Sequence, residues 1–584
     1  MEIMAIIFYG ILSESLVIGG IDRWIHVAGE PVVFCEKDEN IGKFQTKLLG
    51  KYEVLSLDKA LERYPDADIW VTYPKAAGTR NHLLTKLSPS KLHFLEDYAS
   101  EAVVRELCKS NPLESGSLKT PTYRPSLPEG GYPKIPNITP EFLSMIKLPD
   151  EKCKKLNYLL VMPVMPRMAS FTFTFQVGIA YISSALKASG RNLFTLNLDL
   201  DSTGNPYELL KKEIINNKID VVMTGGVNSQ YRNLKRIIDT AKKATPNIVT
   251  VVGGIIVTAD PSGAMEALKT ADYGIVGEGE ISINALAYAL ETDSAMSDVE
   301  GVVFRQDGQW MVNGDSPAVS DLGILPYPDY EGFEYRKYLD IAKGQEKRAF
   351  INTSRSCVNK CSFCFSKHGK YRRLPIDDVF KQIDWMLSTY PDIRRLHLGD
   401  ELSFSNPAYA IEFSNRIKPY NLSWRAAMRV DRINREMLVA MKDSGCKQIL
   451  IGIESADNDV LKSMRKGITI EQVEKAIGYA NEIGISMLGF LIFGDPAETM
   501  ESALRSIKWY MKHKKNVGGM VVIRIDPGSH LYEVACEKGF ITDRAEYIKQ
   551  YKLSGSRLIN LSKLTDLEFE MLPHLLDAVS KMQE

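Results

Sequence analysis

The sequence predicts an α/β protein: a Rossmann-like doubly wound domain followed by a partial (βα)6 TIM-type barrel, with a small N-terminal α/β domain and a C-terminal helical extension. Three observations lead there. Between Leu156 and about Thr292, continuous apolar runs (YLLVMP, FTLNLD, DVVMTGG, IVTVVGG, YGIVGEGE) alternate with amphipathic helical stretches, the pattern of a parallel sheet covered on both faces. From AFINTSRS to MVVIRID, six more strand-helix units of about 30 residues follow, a spacing that implies a βα barrel with its functional groups at the C-terminal strand ends. At 584 residues the chain also exceeds one core, with a prior of roughly four domains.

In chain order, residues 1–110 alternate short apolar runs with helix-like segments and read as an α/β domain of unknown role. Eight of the 27 prolines fall between Pro112 and Pro149, and such a stretch does not sustain helix or central strand, so 111–150 reads as a linker. The doubly wound domain takes 151–320, with helices expected over Gln176–Ala188, Tyr207–Ile215, Gln230–Ala241 and Gly263–Leu268 and a last one ending at Leu290. Phe171, Phe173 and Phe175 alternate as a half-buried strand does. A connector rich in Pro and Tyr covers 321–345, where Tyr327 and Tyr330 stand near the domain junction without an assigned role. The barrel occupies 346–535 and the helical extension 536–584. Within the extension, Leu567–Met582 has the apolar spacing of an amphipathic docking helix.

Charge excludes some functions. The 72 Lys and Arg against 73 Asp and Glu leave a formal net of −1, so no global positive field draws nucleic acid or an anionic membrane. The longest apolar runs, Met487–Phe493 and Ala5–Leu12, fall short of the roughly 18–20 residues that span a bilayer. With no basic, cleavable start before Arg23, the expectation is a cytoplasmic chain.

Eight cysteines are too few for a disulfide scaffold. Cys357, Cys361 and Cys364, however, lie within eight residues, directly after the first barrel strand. Three soft thiolates this close select an iron-sulfur cluster or zinc. Zinc would take His368 as a fourth ligand in a closed Cys3His site, and the chain would then be a metal-binding regulatory or scaffold protein. A four-iron cluster on three cysteines instead leaves one iron open at the barrel mouth.

The spacing Cys-x3-Cys-x-aromatic-Cys, with Phe363 as the aromatic residue, resembles the signature of the radical S-adenosylmethionine (SAM) enzymes. The resemblance implies a 4Fe-4S cluster on Cys357, Cys361 and Cys364 and a set of SAM contacts at later strand ends. Gly399, Asp400 and Glu401 match the element that receives the SAM amino group, Arg429 a carboxylate partner, Glu454 a ribose contact, and Ile492 the adenine shelf. Read as residues alone, Asp400, Glu401 and Glu454 are also plain carboxylates at helix starts, and Arg429 a surface ion-pair partner.

The preceding domain resembles the cobalamin-binding domain of one branch of that family. Gly225, Gly226, Asn228 and Ser229 sit where the branch holds the nucleotide tail, and Gly253, Gly254, Thr258, Gly277 and Glu278 fit its strand ends. Glycines there suit close backbone approach at a sheet switch point. Two departures stand out: Gly225 and Ile256 replace a frequent Ser and His, and the Asp-x-His-x-x-Gly element is absent. No histidine occurs between His93 and His368, so cobalamin would lack that lower axial ligand, which eases reduction of cobalt.

The resemblance covers about residues 156–535 and implies a cobalamin-dependent radical SAM enzyme, foremost a C-methyltransferase. Cyclisation, oxidation or rearrangement by the same cofactors is the alternative. Implied partners are a small-molecule or peptide substrate and an external electron donor such as flavodoxin or ferredoxin. The substrate cavity is expected where the carboxyl ends of the two sheets face each other.

Overall fold

In the computed structural model the described residues are the short strands at 6–9, 32–35, 54–55, 68–71 and 92–94, then 135–165, 175–200, 205–341, 347–365, 369–552 and 558–581. The chain divides into two compact units, Met1–Arg124 with Arg167–Ala169, and Pro125–Pro166 with Ser170–Glu584. The first unit contains a five-stranded parallel sheet of order β3-β2-β1-β4-β5, formed by β1 (Ile6–Tyr9), β2 (Val32–Cys35), β3 (Val54–Leu55), β4 (Asp68–Val71) and β5 (Leu92–Phe94).

The second unit opens with a difference from expectation. Pro140–Met145, inside the stretch read as a linker, is a helix. Proline is tolerated there because the first helical residue has no use for its N–H, and Thr139 caps the helix by accepting from Phe142 N at 3.1 Å. Phe142 is fully buried and locks the turn to the core.

The doubly wound sheet runs β6 (Asn157–Met162), β7 (Asn192–Asn197), β8 (Val221–Gly225), β9 (Val249–Gly253) and β10 (Tyr273–Ile275), all parallel. An antiparallel hairpin, β11 (Val302–Gln306) and β12 (Gln309–Val312), extends it to the order β12-β11-β10-β9-β8-β6-β7. Strand order reverses beside β6, between β7 and β8, which is where such sheets bind ligands. β8 is buried throughout, as a two-sided cover demands.

The barrel sheet is parallel, in the order β13 (Arg348–Ile351), β16 (Arg395–Leu398), β17 (Ser423–Met428), β18 (Cys446–Glu454), β19 (Ser486–Phe493) and β20 (Val517–Val522). Here burial alternates along β16, β17 and β19. One face packs under helices Ile376–Thr389, Pro407–Ile417, Arg435–Asp443, Ile470–Ile483 and Met500–Lys512, and the other lines an open concave side.

A single buried cluster runs through both sheets, from Leu160 and Met223 to Leu396 and Trp424. At the connector, Phe175, Tyr330, Tyr335 and Tyr338 pack in stacked and edge-to-face pairs with ring centroids 4.9–5.9 Å apart. Tyr330 and Tyr335 donate to the carbonyls of Phe350 (2.5 Å) and Arg348 (2.6 Å) on β13. β13 is an edge strand, and the tyrosines satisfy groups it would otherwise leave unpaired. Tyr330 thus seals the sheet edge. Phe175 is core, while Phe171 and Phe173 lie outside the described residues.

The C-terminal helix Asp566–Lys581 docks on the barrel through buried Phe569, Leu572, Leu576 and Val579. Helix Arg544–Gln550 reaches instead to the doubly wound domain, where Ala545 and Ile548 join its second core. No helix among the described residues is long and apolar enough to cross a membrane.

Candidate functional site

The three-cysteine segment leaves β13 through a short antiparallel ribbon, β14 (Ser354–Arg355) with β15 (Arg372–Arg373). Ser356 turns it with φ +68°. Its middle is pinned from two sides: Ser362 N donates to Met464 O (2.9 Å), and Leu531 N donates to Ser362 O (3.0 Å). The loop is therefore held by the segments after β18 and β20. Cys357 and Cys361 are half-buried and Cys364 is the most open.

Burial pushes the Cys361 thiol up, against the pull of Lys466 and Arg429. Surrounding protein pushes Cys364 up to about 12, with Cys361, Glu401 and Cys357 adding negative charge. Among the described residues no three Cys, His, Asp or Glu side chains converge on one point as the ligands of a single ion do. His368 lies outside the described residues. A cluster with each thiolate on a different iron needs no such convergence, and the buried Ser362 Oγ, which has no partner, leaves polar space beside it.

The predicted SAM residues come together around this loop. Phe363 and Ile492 pack on one apolar cluster with Ile523, Ile525 and Leu531. Arg429 and Glu454 both lie close enough to Cys361 to act on its charge. Glu454, at φ +66°, accepts from Lys466 Nζ at 2.7 Å, and Arg429 donates to Lys466 O at 2.7 Å and Asp431 at 2.9 Å. Lys466, which belongs to no sequence motif, links these groups and lies 5.9 Å from the Phe363 ring. Its segment, MRKGITI, carries no signature.

Asp400 is buried and committed. It accepts from Thr353 N (2.6 Å), Thr353 Oγ1 (2.7 Å) and Ser354 N (2.9 Å). Burial still raises its carboxyl to about 6. Its contacts splice the end of β16 to the start of the cysteine segment, fixing the Gly399–Glu401 backbone. Glu401 is exposed and within electrostatic range of Cys364.

In the doubly wound domain the predicted residues form an interlocked edge. Gly226 N donates to Gly253 O (3.2 Å), Ile256 N to Gly226 O (3.1 Å), and Gly277 N to Thr258 Oγ1 (2.8 Å). A Cβ on Gly254, at φ +87°, would stand 2.7 Å from Gly226 N and O, and one on Gly225 3.0 Å from Gly253 O. Backbone packing between neighbouring loops already requires glycine at 254 and leaves little room for a side chain at 225. Asn228 is buried with Oδ1 unpartnered, beside half-exposed Ser229 at the sheet switch point. An orphaned acceptor there fits a polar ligand tail.

Glu278 has a different engagement from the one expected. Its carboxylate pairs with Arg355 Nη1 (2.6 Å) and with Arg372, while Arg355 Nη2 takes Glu280 (2.6 Å). The two acids of GEGE thus tie the doubly wound domain to the ribbon that carries the cysteines. Arg355, two residues before Cys357, was legible only as part of that motif's flank.

A cavity of about 350 Å³ opens on the concave side, bordered by Phe175, Val177 and Gly178 of the doubly wound domain and by Asn352, Gly399 and Asp400 at the barrel strand ends. It also runs down the strands to His397 and Arg425.

Comparison with known proteins agrees with this layout. Residues 351–510 match the family model of the radical SAM superfamily, and residues 170–287 that of the B12 binding domain. An uncharacterised methyltransferase of Pyrococcus horikoshii is 28% identical over 62% of this chain and 78% of its own. The anaerobic magnesium-protoporphyrin IX monomethyl ester cyclase of Rubrivivax gelatinosus is 27% identical over 63% and 68%. The structure of the radical SAM methyltransferase TsrM from Kitasatospora setae, with cobalamin and a [4Fe-4S] cluster bound, superposes with a TM-score of 0.55 at 17% identity, covering 66% of this chain and 75% of that one. It shares the fold.

Proposed function

Because this chain belongs to the radical SAM enzymes that carry a B12-binding domain, we propose that it transfers a methyl group to an unactivated carbon. The observation that supports this most is the cavity itself, bordered by Phe175, Val177 and Gly178 of the B12-binding domain and by Gly399 and Asp400 at the end of a barrel strand. Cys357, Cys361 and Cys364 would hold a 4Fe-4S cluster and would leave one iron open to SAM. Phe363, Gly399, Asp400, Glu401, Arg429, Glu454 and Ile492 would surround SAM, and Gly225, Gly226, Asn228, Ser229, Gly253, Gly254, Thr258, Gly277 and Glu278 would frame the corrinoid tail, Glu278 through its backbone because Arg355 and Arg372 hold its carboxylate. The chain carries no Asp-x-His-x-x-Gly element that would supply a histidine to cobalamin.

When bound, the reduced cluster and SAM supply a 5'-deoxyadenosyl radical, and the corrinoid supplies the methyl group. The chain's own residues orient and shield. Asp400 holds the Gly399–Glu401 backbone rigid against Thr353 and Ser354. Lys466 aims the Glu454 carboxylate, and Arg429 braces the Lys466 backbone. Arg355 sets the cysteine segment against the B12-binding domain. A flavodoxin or ferredoxin is the expected reductant.

The test is product analysis of anaerobically reconstituted protein supplied with cobalamin, reductant and candidate substrates. Methyl transfer yields S-adenosylhomocysteine together with 5'-deoxyadenosine. Deoxyadenosine alone supports the second reading, radical cyclisation or oxidation without net methyl transfer, which the similarity to the Rubrivivax gelatinosus cyclase favours. Formation of neither product overturns both.

A further inference from the structure

Below the strand ends, the concave face of the barrel carries a set of cations. Arg395 and His397 alternate onto the same face of β16, Arg348 is the register neighbour of Arg395 on β13, and Arg425 that of His397 on β17. Arg425 Nη2 lies 3.0 Å from His397 Nδ1. A guanidinium has only donors, so Nδ1 accepts and the imidazole proton sits on Nε2. Burial and the arginines Arg425, Arg348 and Arg395 hold His397 down at about 3, which keeps the ring neutral and its Nε2–H a donor.

Elsewhere this chain answers buried cations with carboxylates: Arg191 with Glu291 (2.8 Å), Lys187 with Asp329 (2.5 Å), Arg355 with Glu280 (2.6 Å). Among the described residues no carboxylate forms an ion pair with Arg395 or Arg425. Burial and the like charges of Arg348 and Arg395 lower the Arg425 guanidinium from its usual value. Partly buried like charges repel one another in a medium that screens less than water, so a packing role alone does not explain Arg395 and Arg425. Asp400 borders the same cavity, but both its oxygens are held by Thr353 and Ser354.

We propose that Arg425 and His397 form an anion-binding subsite at the inner end of the cavity, which receives a carboxylate or a phosphoryl or phosphonyl group of the substrate. The fork of Arg425 and the Nε2–H of His397 supply only donors, the chemistry that recognises an oxyanion. Phe350 and Leu450 line the cavity beside them and suit an apolar portion of the same molecule, whose far end reaches Gly399. Calling the anion part of a substrate rests on the function proposed above. The subsite itself does not.

The test is equilibrium dialysis of the full-length protein, at low ionic strength, with radiolabelled methylphosphonate and with radiolabelled acetate. Saturable binding of at least one probe, one per chain, is expected, and the preferred probe tells phosphoryl from carboxylate substrates. Arg425→Met should weaken it at least tenfold, with Arg435→Met, on an exposed ion pair, as the unchanged control. His397→Phe, expected at fivefold or more, decides the matter if Arg425→Met does not fold. Absence of saturable binding, or wild-type affinity in a folded variant, overturns the subsite. SAM cleavage by the reconstituted enzyme is scored separately: anion binding without cleavage leaves the subsite and removes the radical reading, and the converse removes only the subsite.

Discussion

Arg355 Nη2 stands 2.6 Å from the Glu280 carboxylate, joining the ribbon that precedes the cysteines to the first turn of helix Gly279–Thr292 in the B12-binding domain. The same guanidinium reaches Glu278 at 2.6 Å and lies over the Tyr181 ring at 4.8 Å. One side chain therefore ties the cysteine-bearing ribbon to the B12-binding domain, beside the second tie of Arg372 to Glu278.

Arg355→Met leaves Glu280, whose side chain is only 6% exposed, without its counter-charge, whereas Glu278 keeps Arg372. Breaking a buried pair costs about 3–5 kcal/mol, and with Arg355 16% exposed a loss near the lower end is expected in urea unfolding. Arg355→Met combined with Glu280→Gln should recover part of that loss.

Gly254→Ala places a Cβ 2.7 Å from the Gly226 backbone at φ +87°. Strain and overlap together should cost roughly 2–4 kcal/mol and release bound corrinoid. Gly190→Ala, at φ +79° with nothing within 4 Å, carries the strain alone and should cost about 1–2 kcal/mol. Equal unfolding midpoints for the two variants would show that the loop contact is unimportant.

Glu498 is 1% exposed, accepts from Ser502 Oγ (2.5 Å) and Gly494 N (3.3 Å), and is raised by burial to about 7. A carboxyl raised on folding favours the protonated native state. Its contribution is complete below the unfolded value near 4.5 and is lost as pH rises through about 7. Unfolding free energy should accordingly fall between about pH 4.5 and 7, and Glu498→Gln should flatten that fall, as measured by urea titrations across the range.

Much of this architecture is legible in the sequence, because helix and strand periods leave different apolar patterns. The six barrel strands and the five parallel strands before them follow from that alone. The β11–β12 hairpin was missed although its signal was present: Asp307-Gly308 in FRQDGQW takes positive φ at both turn positions, as a two-residue hairpin turn requires. Helix Pro140–Met145 was hidden by counting prolines without asking which sits at a helix start. The cysteine segment was legible because metal ligands must be close in sequence when one loop supplies them. Lys466 and the Arg425–His397 pair were not: Lys466 meets Glu454 from a loop without a signature, and Arg425 and His397 meet across strands, where a lone cation has no local pattern. The acids of GEGE were legible as a motif, but their bond to Arg355 depends on tertiary contact.

The most direct test of the central assignment is electron paramagnetic resonance of the full-length protein, reconstituted anaerobically and reduced, before and after addition of SAM. The account predicts about four irons per chain and a reduced-cluster signal whose g values shift when SAM binds, with both lost in Cys361→Ala. A chain that holds one zinc and no iron, or a cluster signal indifferent to SAM, would contradict it.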